Sequence, residues 1–264
     1  MVSEKSSLKK LFKYGFAHPS SSLRFLKEKY NLSRNNRHPF DNSQCCISKD
    51  KSNFISYLTG EAVREDWFSI SEKLFNSKIN KINRFYGTYK TSTISIDEAG
   101  IIYYLVRLLK PRIAVETGVS DGMSSLMILS AMKDNHIGHL YSIDLPDVGM
   151  PKLYGKEPGW IVDDDLREKW TITFGSSASK LPSLLKKLNN IDFFLHDSEH
   201  SFKNMRFEFS LALSYLREGG VLLCDDATSN YSFQRSILKI EMNPQSIGLL
   251  RSEENDFGGF ILRL

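Results

Sequence analysis

Two acidic clusters sit at the ends of apolar runs. Ile191-Asp192-Phe193-Phe194-Leu195 leads into His196-Asp197-Ser198-Glu199-His200, and Val221-Leu222-Leu223 leads into Cys224-Asp225-Asp226. If these runs are neighbouring strands, their ends bring Asp197, Asp225 and Asp226 together. Carboxylates in one place repel unless a cation or a proton sits among them. An all-oxygen set suits a hard divalent cation, Mg²⁺ before Zn²⁺. Such an ion is a Lewis acid that orients a hydroxyl and lowers its pKa. His200 is the candidate general base beside them, since an imidazole of unperturbed pKa about 6.5 removes protons near neutral pH. Its plainer reading is a residue that caps the following helix. Asp197 joins His200 in the expected catalytic pair. His196, just inside the strand, reads as packed and hydrogen-bonded, and Glu199 as solvent-exposed.

A second constellation lies upstream, in Glu116-Thr117-Gly118-Val119-Ser120-Asp121-Gly122-Met123-Ser124-Ser125, directly after the apolar run Ile113-Ala114-Val115. Gly118 and Gly122 let the backbone turn tightly and approach a ligand. The next apolar run ends in Asp144, and an ionised carboxylate there can accept from two ribose hydroxyls. The loop does not read GxGxxG, and Asp121 would set negative charge beside a pyrophosphate. A nucleoside cofactor without phosphates fits better. S-adenosylmethionine, with its sulfonium and its zwitterionic amino acid, is such a ligand, and Glu116 and Asp121 suit its positive charges.

These loops need strands and helices to hold them. From about Ser92 the chain alternates between the two. A helix capped at Asp97 runs through Ile101, Leu105 and Leu108 and stops before Pro111. Strands follow at 113–116, 140–144, 171–174, 191–195 and 221–224, separated by helices. Gly219-Gly220 is expected to break the helix that runs through Met205, Phe209 and Leu213. Short connections in this order predict an α/β protein with a doubly wound, mostly parallel sheet of seven strands. After a helix near 233–240, segments 246–251 and 257–264 flank Glu254-Asn255-Asp256 and predict a closing antiparallel hairpin. Residues 1–90 differ in texture. They are rich in Ser, Asn, Lys and Phe, predict short helices around Leu23–Tyr30 and Trp67–Phe75, and carry a polar loop from Asn31 to Lys51. Two regions are therefore expected: 1–90 as a basic arm and helical lid or dimerisation segment, and 91–264 as the α/β domain.

The motif Val115-Glu116-Thr117-Gly118-Val119-Ser120-Asp121-Gly122 resembles the first motif of class I S-adenosylmethionine-dependent methyltransferases, and the closing hairpin is typical of their Rossmann-like fold. The resemblance covers 92–264. Within the class, Gly159-Trp160-Ile161-Val162 with Leu166-Arg167 and Trp170 resembles the long loop of macrocin- and cephalosporin-type O-methyltransferases. It implies cofactor contacts at Glu116, Gly118, Ser120 and Asp144, and adenine contacts near Ser176 and Ser177. The Asp197 and Asp225-Asp226 pattern is similar to the metal-dependent branch that includes catechol O-methyltransferase, in which a base lies three residues after the first metal ligand. His200 stands where that enzyme has lysine, and Asp226 where Asn is also found. The implied activity is O-methylation of a hydroxyl on a small molecule such as a sugar or diol. Trp160 and Tyr231, on loops beside strand ends, are the candidate substrate walls.

Composition narrows the alternatives. In 264 residues, 41% are hydrophobic, which excludes disorder. No apolar run is long enough to span a bilayer. Cys45, Cys46 and Cys224 make neither a disulfide framework nor a CxxC metal pair, so a reduced, cytoplasmic protein is expected. The net charge is +4, but residues 1–40 hold nine basic against two acidic residues, a surplus of seven that leaves the remainder at −3. The basic arm reads as a solvated leader; Leu8, Leu11 and Phe12 share a helical face with lysines beside them, but over a short span. A nucleic-acid partner is not expected, since neither an Asn-Pro-Pro-Tyr-like motif nor a catalytic cysteine is present; a homo-oligomer is compatible with the pattern. Two alternatives stay open: a metal-independent N- or O-methyltransferase, and a non-catalytic S-adenosylmethionine-binding module.

Overall fold

A computed structural model describes residues 46–87, 93–145, 155–237, 247–251 and 256–262. The basic arm, the Leu8–Phe12 and Leu23–Tyr30 segments and Cys45 lie outside the described residues. In chain order the elements are β1 (Cys46–Ser48), α1 (Lys51–Thr59), α2 (Glu65–Tyr86), α3 (Ile96–Leu109), β2 (Ile113–Thr117), α4 (Met123–Asn135) and β3 (His139–Asp144). After a 3₁₀ turn at Asp164–Lys169 come β4 (Trp170–Phe174), α5 (Ser177–Leu188), β5 (Ile191–His196), α6 (Phe202–Leu213), β6 (Leu216–Cys224), α7 (Ser232–Ile237), β7 (Ile247–Arg251) and β8 (Asp256–Ile261).

The strands form one sheet in the order β1-β7-β8-β6-β5-β2-β3-β4. β2, β3, β4, β5 and β6 are mutually parallel, and β8 runs antiparallel to both β6 and β7. The doubly wound sheet and the closing hairpin are as expected. Among the described residues the strands number eight rather than seven, because Cys46–Ser48, inside the segment read as polar loop, pairs in parallel with β7. Three residues carry too little periodicity to announce a strand; an exposed edge of β7 recruits them. α1 then covers that end of the sheet. Phe54 and Leu58 press onto Gly248, where an added Cβ would come within 2.9 Å of the Phe54 ring.

The sheet is packed on both faces, and alternation along each strand divides the core. Ala114, Leu140, Phe193, Leu195, Val221 and Leu223 join α1–α4 on one side. Val115, Ile143, Phe194, Leu222 and Cys224 meet Leu181, Leu185, Met205, Phe209 and Phe233 on the other. Ile101–Val106 are all fully or almost fully buried, because α3 lies between α2 and the layer of α4. Trp67, Phe68, Phe75, Ile82 and Tyr86 of α2 belong to this same core. Among the described residues no helix is long and apolar enough to cross a membrane.

Two local expectations are corrected. Gly219 and Gly220 lie within β6 rather than ending α6, which already stops at Leu213; the register between β5 and β6 shifts at Ile191/Phe193 to accommodate them. The cap of α3 is Ser95, not Asp97. Ser95 Oγ accepts the Glu98 N–H, and the Glu98 carboxylate returns to the Ser95 N–H at 2.6 Å, a reciprocal capping box. Asp97 instead pairs with Lys51 at 3.1 Å. Ser95→Ala should therefore cost about 1 kcal/mol of stability, seen as a lowered midpoint in urea unfolding, whereas Asp97→Asn should change it by well under half of that.

Candidate active site

Strand order reverses between β2 and β5, since β3 and β4 extend the sheet to one side and β6 to the other. Ligands of open parallel sheets bind beyond the carboxyl ends of strands at such a point. The glycine loop after β2 and the Asp197 loop after β5 meet there. Asp197 N–H donates to Thr117 O at 2.9 Å, and Gly118, at φ +89°, lies so close to the Asp197 carbonyl that a Cβ would overlap it. The glycine answers both to the backbone conformation and to the close approach.

Asp144, at the end of β3, faces the same loop. Its Oδ2 accepts the N–H groups of Val119 (3.2 Å) and Ser120 (3.0 Å), and its Oδ1 accepts the Leu145 N–H at 2.8 Å. Ser120 is held at φ +51°, and Gly122 caps α4 in the left-handed conformation. Glu116 is fully buried; Ser125 Oγ lies 2.6 Å and Ser124 Oγ 3.3 Å from its Oε1. Burial, outweighing these hydroxyls, pushes its carboxyl up to about 8. Asp121 is also buried and turned inward, where it accepts the Tyr86 phenol at 2.8 Å and the Trp160 indole N–H at 2.5 Å. Ser176 is the N-cap of α5. Ser177 Oγ donates to Asn204 Oδ1 at 3.1 Å and so points toward α6.

At the ends of β5 and β6, Asp197, His200 and Asp225 each offer a ligand atom, all within 4.8 Å of one another. His200 Nε2 lies 3.8 Å from Asp197 and 3.9 Å from Asp225. Asp226, at φ +53°, is placed differently: its Oδ2 pairs with His200 Nδ1 at 2.8 Å and orients the ring. The sequence grouping of Asp197, Asp225 and Asp226 thus becomes Asp197, His200 and Asp225, with Asp226 behind the imidazole. Burial and the Asp225 charge hold Asp197 well above the usual carboxylate range, and burial raises Asp225 although the His200 charge opposes it. Burial works against a charged His200, but Asp226 and Asp225 outweigh it and raise its pKa. His200 Nε2 and Asp225 Oδ1 are buried atoms without a hydrogen-bond partner. Trp160 and Tyr231 are both half-buried, Trp160 against Phe85 and Tyr231 beneath the Arg235 guanidinium. Glu199 is exposed and His196 fully buried, as read from the sequence.

Two residues escaped sequence reading. Glu98, spent in the cap of α3, also faces the acidic cluster. Burial and the charges of Asp225 and Asp226 bring its carboxyl to about 7. Its capping-box spacing was visible; its neighbours, more than a hundred residues away, were not. Glu208, an acid between Met205 and Phe209 on the buried face of α6, is the other. It meets His196 Nδ1 at 2.7 Å, Thr117 Oγ1 at 2.5 Å, and Ser198 Oγ and Asn204 Nδ2 at 2.8 Å each. A charged residue on an otherwise apolar helix face was the available signal.

The two buried glutamates have opposite pH consequences. Burial opposes ionisation of Glu208, but His196 and the hydroxyls around it prevail and hold it at about 2. Its stabilisation is complete above the unfolded pKa of about 4.3 and is lost as pH falls toward 2. Glu116 is raised instead, so its contribution is complete below about 4.3 and is lost as pH rises through about 8. In urea unfolding followed against pH, Glu208→Gln should flatten the acid limb and Glu116→Gln the decline between pH 5 and 8.

Residues 115–227 match a family model described as a methyltransferase domain. Among solved structures, the chain is similar to a "putative O-methyltransferase" from Klebsiella pneumoniae, at 14% identity and a TM-score of 0.51, over 76% of this chain and 99% of that one. It is similar to cofactor-bound Rv0187 from MTB at 14% identity and a TM-score of 0.50, over 79% and 93%. The O-methyltransferase TomG from Streptomyces achromogenes, in complex with S-adenosylmethionine, aligns at 14% identity and 0.48, over 81% and 96%. A search of curated proteins finds no match. Residues 115–227 thus match a methyltransferase domain, and the sheet that holds the glycine loop at its switch point has the fold of the O-methyltransferase structure it resembles.

Proposed function

We propose that the enzyme methylates a hydroxyl of a small molecule with the assistance of a divalent cation. The observation that carries this reading is the pair of buried, unpartnered atoms, His200 Nε2 and Asp225 Oδ1, converging with Asp197 at the switch point. One imidazole nitrogen and two carboxylates make a donor set that fits a hard or borderline divalent ion, Mg²⁺ or Mn²⁺. Asp197, His200 and Asp225 would hold it, and Asp226 would fix the imidazole through Nδ1, as partners of metal-binding histidines do. Bound there, the ion would orient an acceptor hydroxyl and lower its pKa.

Transfer forms an O–C bond and breaks an S–C bond, with the electron pair leaving on sulfur. The acceptor oxygen must therefore shed its proton, to solvent where His200 would hold the ion and to His200 Nε2 where it would not, and lie close to the methyl group; proximity supplies much of the acceleration. The chain's part is to align two clefts. Asp144 is the candidate ribose acceptor. Gly118 and Ser120 bring the backbone close to the cofactor, Glu116 is a buried carboxyl that can ionise against its positive charge, and Ser176 and Ser177 lie on the adenine side. The contact of Gly118 with Asp197 keeps the two loops in register. A second reading has its own observation: the 2.8 Å Asp226–His200 pair is a base dyad that leaves Nε2 to take a proton without a metal.

Calorimetry with S-adenosylmethionine should give saturable binding that weakens at least tenfold in Asp144→Ala. Loss of a bidentate ribose contact accounts for that size. Asp225→Asn and His200→Ala should keep cofactor binding but lose Mn²⁺ binding, followed by electron paramagnetic resonance. In an acceptor screen, turnover should stop with EDTA and return with Mg²⁺. Turnover indifferent to EDTA but abolished in His200→Ala would establish the metal-free dyad in its place. No cofactor binding in wild type would overturn both readings.

A further inference from the structure

The second half of α2 carries charge of one sign. Lys73, Lys78, Lys81 and Arg84 stand between residues 73 and 87 without a single acid. A solvated helix face ordinarily mixes signs, and the helix dipole accounts only for the last turn, where Arg84 sits. Lys78 is answered by Asp163 at 2.5 Å. Lys81 and Arg84 are not, nor is Lys156 on the facing loop: among the described residues none of the three has a carboxylate within ion-pair distance.

These cations surround aromatic faces. Lys81, Arg84 and Phe85 recur at helical spacing and, with Trp160, line an open groove of about 350 Å³. The Lys81 ammonium stands 5.0 Å over the Trp160 ring, and Lys156 stands 5.0 Å over Phe85 and 5.5 Å over Trp160. Phe85 is 40% exposed. The groove is joined to the cofactor loop through its walls. Trp160 and Tyr86 both donate to Asp121, and Gly159 N–H donates to Ser120 O at 2.8 Å. Gly118, which abuts Asp197, is only three residues from Asp121, a reach of about 11 Å at most.

A neutral sugar or diol would leave three cations unanswered, and a single carboxylate would answer only one. A diphosphate meets all three through charge-assisted hydrogen bonds, and by drawing the Lys81 and Lys156 ammonium groups off the rings it frees a face of Trp160 or Phe85 for a planar base. We propose that this groove binds the nucleoside-diphosphate portion of the methyl acceptor, so that the hydroxyl to be methylated belongs to a nucleotide-linked group such as a sugar. The acceptor role rests on the methyltransferase reading above; the binding itself does not.

The test is calorimetric titration of UDP into the full chain already saturated with S-adenosylhomocysteine, so that the cofactor cleft is filled. UDP should bind saturably, and both uridine and pyrophosphate should bind at least tenfold more weakly. The double variant Lys81→Gln/Arg84→Gln, altered only at exposed positions, should lose at least tenfold in UDP affinity while keeping its melting temperature and its affinity for S-adenosylhomocysteine. Absence of saturable UDP binding, undiminished binding in the double variant, or pyrophosphate binding as tight as UDP would each overturn the proposal. A missing heat for S-adenosylhomocysteine in the first titration counts against the cofactor reading alone.

Discussion

The architecture turns on one contact, the seating of Gly118 against the carbonyl of Asp197. Two loops that leave neighbouring strands in the same direction meet there without room for a side chain. That contact brings the loop expected to face the cofactor beside the loop that carries the acidic cluster, and the Thr117–Asp197 backbone bond holds their register. Everything behind it serves to keep β2 and β5 adjacent: the alternating core on both faces of the sheet, the fully buried middle of α3, and the hairpin that closes β6.

Around this contact the protein buries acids in two different ways. Glu208 is surrounded by donors from β2, the loop after β5, and α6, so ionisation is favoured although the site is dry. It acts as a fixed charge that ties Thr117 to His196 and Ser198. Glu98, Asp197 and Asp225 are each raised first by desolvation; the charge of Asp225 adds to this at Glu98 and Asp197, whereas His200 opposes it at Asp225. Such a cluster is neutral or answered by positive charge. The contrast separates a carboxylate answered by donors from carboxylates that are not.

The cofactor loop is braced from outside as well. Asp121, whose charge suits a cationic cofactor, accepts from Tyr86 at the end of α2 and from Trp160 in the loop beyond β3. One buried carboxylate thus pins the end of α2, the post-β3 loop and the glycine turn to one another. The same arrangement leaves the outer faces of Trp160 and Phe85 among Lys81, Arg84 and Lys156.

Local signals were legible in the residues. Apolar runs of four to six residues ending in Glu116, Asp144, His196 and Cys224 located the strands and the ends that carry chemistry, because strand alternation and turn-forming glycines act over a few residues. The loop after β2, the Asp197–His200 spacing and the closing hairpin followed from the same local rules. What depended on distant residues did not. Three residues at 46–48 become a strand only because β7 offers an open edge. Glu98, Glu208 and Asp121 owe much of their environments to distant residues: Asp225 for Glu98, Thr117 for Glu208, and Tyr86 and Trp160 for Asp121. That His200 rather than Asp226 converges with Asp197 and Asp225 accompanies a positive φ at Asp226, whose carboxylate lies behind the imidazole. The sequence by itself determined which groups are present and on which strand ends they stand; packing alone decided which are charged, which face one another and which are turned away, because burial and distance set those energies and neither is a local property of the chain.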